Sequence, residues 1–362
     1  MTKIQSSVDY YRKKGYIIGD NTVIENNVEI EGNIVEIGND VYLANGVRIK
    51  SDLIRIGDNS IFYSDINIRV SKVFSIGNRC KISRGARFKA HEIYIGNELW
   101  CNENVEIGGG GSGKKSAILT VGDFVHIGKN ASINVCKKVS IGNKTGIGIE
   151  SIIFTHSSGN GQSIFEGYSH VEEEVHVGNN VSIYSRAIIA PGTVIEDGVT
   201  VGALSYVHRT LESNSLYAGV PAKKIKTIKK LSDEDKFKCL LNLLEYELHD
   251  TAVYSRNENT FSIPKDNSCI YIYKKNSKMT KVVLNKLSNS YKSVIAINFA
   301  NDLGCNAKTE INLWSNYICG ETTEITELIR DILRRYGIVL NWRDYEPYKL
   351  NYNLFREKGI EL

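Results

Sequence analysis

Proline is scarce in this chain of 362 residues: there are four, and only Pro191 and Pro221 fall between residues 18 and 228. So long a stretch with so little proline suits a hydrogen-bonded ladder in which nearly every backbone N–H is needed. The seven cysteines form no Cys-x-x-Cys pair and are odd in number, which predicts neither a structural zinc site nor a disulfide framework. No run approaches the ~18 apolar residues of a membrane helix. The opening MTKIQSSVDYYRKKG has no apolar signal-peptide core. The net charge of +4 is too mild to imply a nucleic-acid partner. With 42% apolar and 24% charged residues, the composition is that of a folded globular protein, and the length allows about two domains. These absences together predict a cytoplasmic protein without a metal or a transmembrane segment.

What the chain has is a repeat. Ile/Val-Gly recurs at Ile18-Gly19, Ile37-Gly38, Ile56-Gly57, Ile76-Gly77 and Ile95-Gly96, then at Val121-Gly122, Ile141-Gly142 and Val177-Gly178. Counting in sixes from each of these and from Ile195 gives 27 positions, of which 24 hold Ile, Leu or Val; the others are Phe62, Phe88 and Cys101. A period of six fits neither a helix nor simple alternation. It fits a solenoid whose every coil has three short faces, each sending one residue to a shared axis, with backbone groups paired between coils. The Gly, Asn and Asp after the first aliphatic residue are expected at tight corners.

Two steps exceed the regular coil: Ile95 to Val121, and Ile141 to Val177. The first excess contains Gly108 to Gly111 and Ser112-Gly113-Lys114-Lys115. It lacks the spacing of a P-loop or dinucleotide fingerprint and reads as a plain flexible excursion. The second, about residues 157–176, leaves just after Phe154-Thr155-His156, and long loops on rigid scaffolds are where function tends to sit.

These hexads resemble the hexapeptide-repeat acyltransferases. So do Ala190-Pro191-Gly192 and the closing Ala218-Gly219-Val220-Pro221-Ala222-Lys223, which is similar to the ending of the sugar- and antibiotic-modifying acetyltransferases. The resemblance implies a mainly β fold, a left-handed parallel β-helix of about nine coils over residues 17–228, assembled as a homotrimer with acetyl-CoA as acyl donor. It implies that His156, at the base of the long loop, is the general base, a role that suits an imidazole near neutral pH. By residue-to-residue match, Asn130 would orient the acceptor, Ser185 and Ala203 would lie along the pantetheine arm, and His208, Arg209, Lys223 and Lys224 would meet the nucleotide end. His170, inside the loop, is the rival base or an acceptor contact. Tyr184 stands where the family often has tryptophan near the acceptor, and Leu204 replaces a glycine near the donor.

Before the solenoid, residues 1–16 read as a short N-terminal segment. After it, over 229–259, Ser232 and the acidic Asp233, Glu234 and Asp235 begin a helix whose leucines recur at helical spacing. This helix is expected to cover the open end of the solenoid. Residues 260–362 read as a small α+β domain, with strands at 269–273, 281–284, 294–299 and 311–314 and a helix at 323–336. The function expected is O-acetylation of a carbohydrate, such as a surface polysaccharide or its precursor. The alternatives are N-acetylation of an amino-sugar nucleotide and a non-enzymatic binding solenoid. A solenoidal zinc enzyme would need three converging histidines, and the coils offer no closely spaced pair.

Overall fold

The computed structural model describes residues 3–157, 163–251, 255–257, 260–263, 267–273, 278–299, 309–313, 316–320, 323–338 and 340–342. The chain divides into two compact units between Lys229 and Lys230. The first is a parallel β-helix. Ile34–Ile37 pairs in parallel with Leu53–Ile56, which pairs with Asn67–Ile76, and so on through Arg87–Ile95, Ile118–Val121, Val139–Ile141 and Val175–Val177. The other faces stack the same way. All 27 hexad positions, from Ile18 to Val207, are buried in one continuous apolar core. The six-residue reading of the core is therefore complete.

The recurrent glycines serve a purpose other than the one expected. None of those following the aliphatic residue has a positive φ; the left-handed corners fall two residues later, on Asn21, Asp40, Asn59, Arg79, Glu98, Phe124, Lys144 and Asn180. What the glycines provide is close approach between coils. A Cβ at Gly57 would stand 2.5 Å from the Gly77 carbonyl carbon and from Asn78 Oδ1. That space is taken by a side-chain ladder: the N–H groups of Asp20, Asn39, Asp58, Asn78, Asn97, Asp123, Asn143 and Asn179 each donate, at 2.6–2.8 Å, to the Oδ1 of the Asn or Asp one coil on.

Both ends of the solenoid are closed. Helix α1 (Lys3–Lys13) occupies most of the short N-terminal segment and buries Val8 and Tyr11 against the first coil, where the Tyr11 hydroxyl donates to Val28 O at 2.7 Å. At the other end Ser215–Ala218 turns back as an antiparallel pair with Lys223–Thr227. Helix α2 (Asp233–Thr251) belongs to the second unit. Its Leu240, Leu244 and Leu248 lie in the core of that unit, with Ile270, Ile295 and Ile329.

The second unit is a seven-stranded mixed sheet in chain order, from Ser255–Asn257 to Asn341–Trp342. Alternate residues of its parallel strands Ser268–Tyr273 and Ser293–Asn298 face opposite ways. Ile270 and Ile295 meet α2 and α4 (Glu324–Arg335), whereas Tyr271 and Val294 meet α3 (Lys278–Ser290). Residues 281–284 are thus helical and not a strand. The Lys-Val-Val-Leu run looks extended locally, but a parallel pair needs a crossover, and here Val283, Leu284 and Leu287 supply its packed face. The α4 helix begins as expected, with the Thr323 hydroxyl accepting from Thr326 N. Cys319 is disulfide-bonded, whereas the sequence predicts no disulfide framework.

Replacing Gly57 by alanine forces a methyl group into the inter-coil ladder and is expected to lower the unfolding free energy by about 2 kcal/mol. Gly113→Ala, where a Cβ meets nothing within 4 Å, should change it by no more than ~0.5 kcal/mol. Denaturant midpoints of the two variants check the difference.

Candidate active site

The third strand of each coil ends at one edge of the β-helix, and both long steps leave the solenoid from that edge. Glu106–Gly108, Ser132–Asn134 and Ile152–Ile153 are successive third strands, with Gly108 in register with Asn134. The chain after Ile153 is held at the neck of the long loop. Ser157 N donates to Val171 O at 2.9 Å and Glu173 N to Thr155 O at 3.0 Å, so that His156 sits opposite Glu172 in an antiparallel bridge.

Asn134, 7% exposed, is the hub of this neck. Its Nδ2 donates to Gly108 O and Gly110 O at 3.0 and 3.1 Å, which orients the amide and turns Oδ1 the other way. Oδ1 accepts from the Thr155 hydroxyl at 2.6 Å and from Cys136 N at 3.2 Å, and lies 2.9 Å from His156 Nδ1. An oxygen with only lone pairs to offer requires a proton on Nδ1, so neutral His156 presents Nε2 as an acceptor. Gly110 passes beside that nitrogen: a Cβ there would lie 3.1 Å from Nε2. The glycine-rich segment is thus no plain excursion. It forms one wall beside His156 Nε2.

A charged cluster joins the two loops. Glu172 pairs with Lys114 of the glycine-rich segment, with His170 Nε2 at 3.1 Å and with Lys137 Nζ at 3.6 Å. The Lys114 ammonium, with His170 second, holds the Glu172 carboxyl at about 2. Burial raises the adjacent Cys136 thiol, and the Glu172 carboxylate raises it further. His170 is therefore bound to Glu172 within its own loop, and Lys114 holds the two loops together.

The other residues singled out by sequence divide between two edges. Asn130 is exposed on the corner between second and third strands, has a left-handed backbone and accepts from Asn104 Nδ2 at 3.3 Å. It makes no hydrogen bond to His156 among the described residues; the asparagine that does is Asn134. Tyr184, Ser185 and Ala203 share the Asn130 corner two and three coils on, all exposed, next to the left-handed Arg186 and Leu204. His208 is on the His156 edge. Ile153, Ile189 and Val207 are in register, so His208 follows the third strand two coils beyond the one ending at Ile153, about 10 Å along the axis. Its ring stacks flat on Tyr206 with centroids 5.6 Å apart. Nearby, the Arg209 guanidinium donates to Ala222 O at 3.1 Å, Lys224 pairs with Glu212 at 2.8 Å, and Lys223 is exposed. Asn134 and Glu172 were missed from sequence; only their proximity to the two oversized steps marked them.

Because Glu172 is held below its ordinary value of 4.5, the ties it makes between the loops are complete above that pH. They are lost as pH falls through about 2. Lys114→Met should move the Glu172 titration upward toward the ordinary carboxylate range, as followed by carboxyl ¹³C NMR.

Residues 174–209 match the family described as Bacterial transferase hexapeptide (six repeats). The chain is similar to dTDP-4-amino-4,6-dideoxy-D-glucose acyltransferase of Escherichia coli, 28% identical over 45% of this chain and 87% of that one. It is also similar to a putative lipopolysaccharide biosynthesis O-acetyl transferase of E. coli strain K12, 35% identical over 33% of this chain and 60% of that one. A solved galactoside acetyltransferase in complex with coenzyme A aligns at TM-score 0.30 and 25% identity, covering 40% of this chain and 66% of that one. Its repeat and these relatives make the solenoid similar to the hexapeptide-repeat acyltransferases.

Proposed function

We propose that this protein transfers an acetyl group from acetyl-CoA to a hydroxyl of a carbohydrate, with His156 as general base. The observation that carries the reading is the Asn134–His156 hydrogen bond, which leaves Nε2 free of a proton beside Gly110. Nε2 takes the acceptor hydroxyl proton as the oxygen attacks the thioester carbonyl. The same proton is then available to the departing thiolate, so no covalent enzyme intermediate is needed. The donor's direction of approach follows from charge. His208, Arg209, Lys223 and Lys224 stand toward the C-terminal end of the solenoid, where cations suit the CoA phosphates.

The division of the candidate donor and acceptor residues over two edges also supports a homotrimer. Tyr184, Ser185 and Ala203, remote in topology from their own His156, would complete the cleft of a neighbouring copy. A specific observation favours a second reading: the amino-sugar acyltransferase is matched over most of its own length. In that reading the acceptor is an amine on a nucleotide-linked sugar. Comparing hydroxylated glycans with amino-sugar nucleotides as acceptors, with thiol release as the readout, separates the two.

His156→Ala should reduce acetyl transfer by about 10²-fold or more. Asn134→Ala should lower kcat with little change in KM for the donor, because it removes the partner that fixes the ring and touches neither substrate. Wild-type turnover in His156→Ala would exclude the imidazole as base.

A further inference from the structure

One row of positions runs the length of the His156 edge, one residue beyond the buried third-strand aliphatics. Read from the N-terminal end it is Glu31, Lys50, Arg69, Lys89, Gly108 and Asn134. Glu31, Lys50, Arg69 and Lys89 are consecutive partners in register, as are Gly108 and Asn134; Phe88 pairs with Ile107 between them. Parallel neighbours stand ~4.8 Å apart, so three cations are stacked within about 10 Å. Like charges directly opposite in a sheet oppose stability, and this column needs a compensating anion. Lys50 has one in Glu31, at 2.7 Å. Arg69 and Lys89 have no acidic partner among the described residues.

These side chains line an open groove of about 690 Å³ that starts at Lys14 and Tyr16 and ends at Ser112 and Gly113. Its cations are Lys14, Lys50, Arg69 and Lys89, against Glu31 and Asp52. Ser51, 4% exposed, also lines it, and its buried hydroxyl has no hydrogen-bond partner in the protein. An unsatisfied buried hydroxyl is costly in a folded chain. The far wall, Ser112-Gly113, belongs to the segment that brings Gly110 against His156.

We propose that this groove holds the anionic part of the acceptor, a saccharide bearing carboxylate or phosphate groups, with its reactive end laid toward His156. The proposal rests on the acyl-transfer reading above for the reactive end, but the groove's binding is independent of chemistry. Donor and acceptor then approach His156 along one edge from opposite ends, each guided by cations. The carboxylates of an acidic glycan and the diphosphate of a nucleotide-linked sugar offer the same oxyanion chemistry.

Direct titration of the full-length protein with trigalacturonate, UDP-glucose and neutral maltotriose tests this without turnover. At least one anionic probe should bind about tenfold or more tighter than maltotriose, with an affinity that falls as salt rises. Trigalacturonate as the tighter ligand identifies an acidic glycan, and UDP-glucose a nucleotide-linked sugar. The double variant R69Q/K89Q should lose about tenfold or more of that affinity, whereas R69K retains most of it. H156A should bind the probe unchanged, so full turnover in H156A would sink the acyl-transfer reading while leaving the groove intact. Equal binding of neutral and anionic probes, or undiminished binding by R69Q/K89Q, overturns the proposal.

Discussion

Every part of the solenoid depends on the pairing of each coil's backbone N–H and C=O groups with the coils before and after it. That pairing sets a spacing of ~4.8 Å between equivalent residues, and the rest follows from it. Proline is excluded, side chains at the same position form rows, and glycine is required where the Asn/Asp ladder crowds the backbone. An insertion can leave only at a corner, where no ladder bond is broken. The two long loops exit at the same edge two coils apart, and this is why residues distant in sequence, Lys114 and Glu172, meet beside His156.

The same constraint explains what could be read from residues alone. The core was legible because each buried position repeats every six residues, and all 27 are buried. The base of the long loop was legible because an irregular step stands out against a regular one. Asn134 was not, because it occupies an ordinary coil position and its importance comes from what a neighbouring coil places beside it. The glycines were seen but assigned to backbone conformation, since close approach between coils has no signature within one coil. In the second unit no repeat constrains the reading. There Lys281 to Leu284 was taken by local propensity for a strand, and the need for a crossover between parallel strands decided otherwise.

The site itself is organised by satisfied polarity. The two carbonyls of the glycine-rich segment orient the Asn134 amide, the amide oxygen orients the imidazole, and Glu172 draws two cations and His170 into a tie between the loops. An imidazole held this way is pre-positioned before any substrate binds, which is what the proposed role as base calls for. The rows on either side give the edge cationic character at both ends and leave the centre near His156 lined by glycine.

The tautomer of His156 tests this organisation most directly. Selective ¹⁵N labelling of histidine in the intact protein, at a pH where the ring is neutral, reads the protonation of each nitrogen. The account predicts a protonated Nδ1 and an unprotonated Nε2 for His156, with the Nδ1 signal altered in Asn134→Ala. A ring carrying its proton on Nε2 in the wild-type protein would contradict it, because that nitrogen could not accept a proton from a hydroxyl.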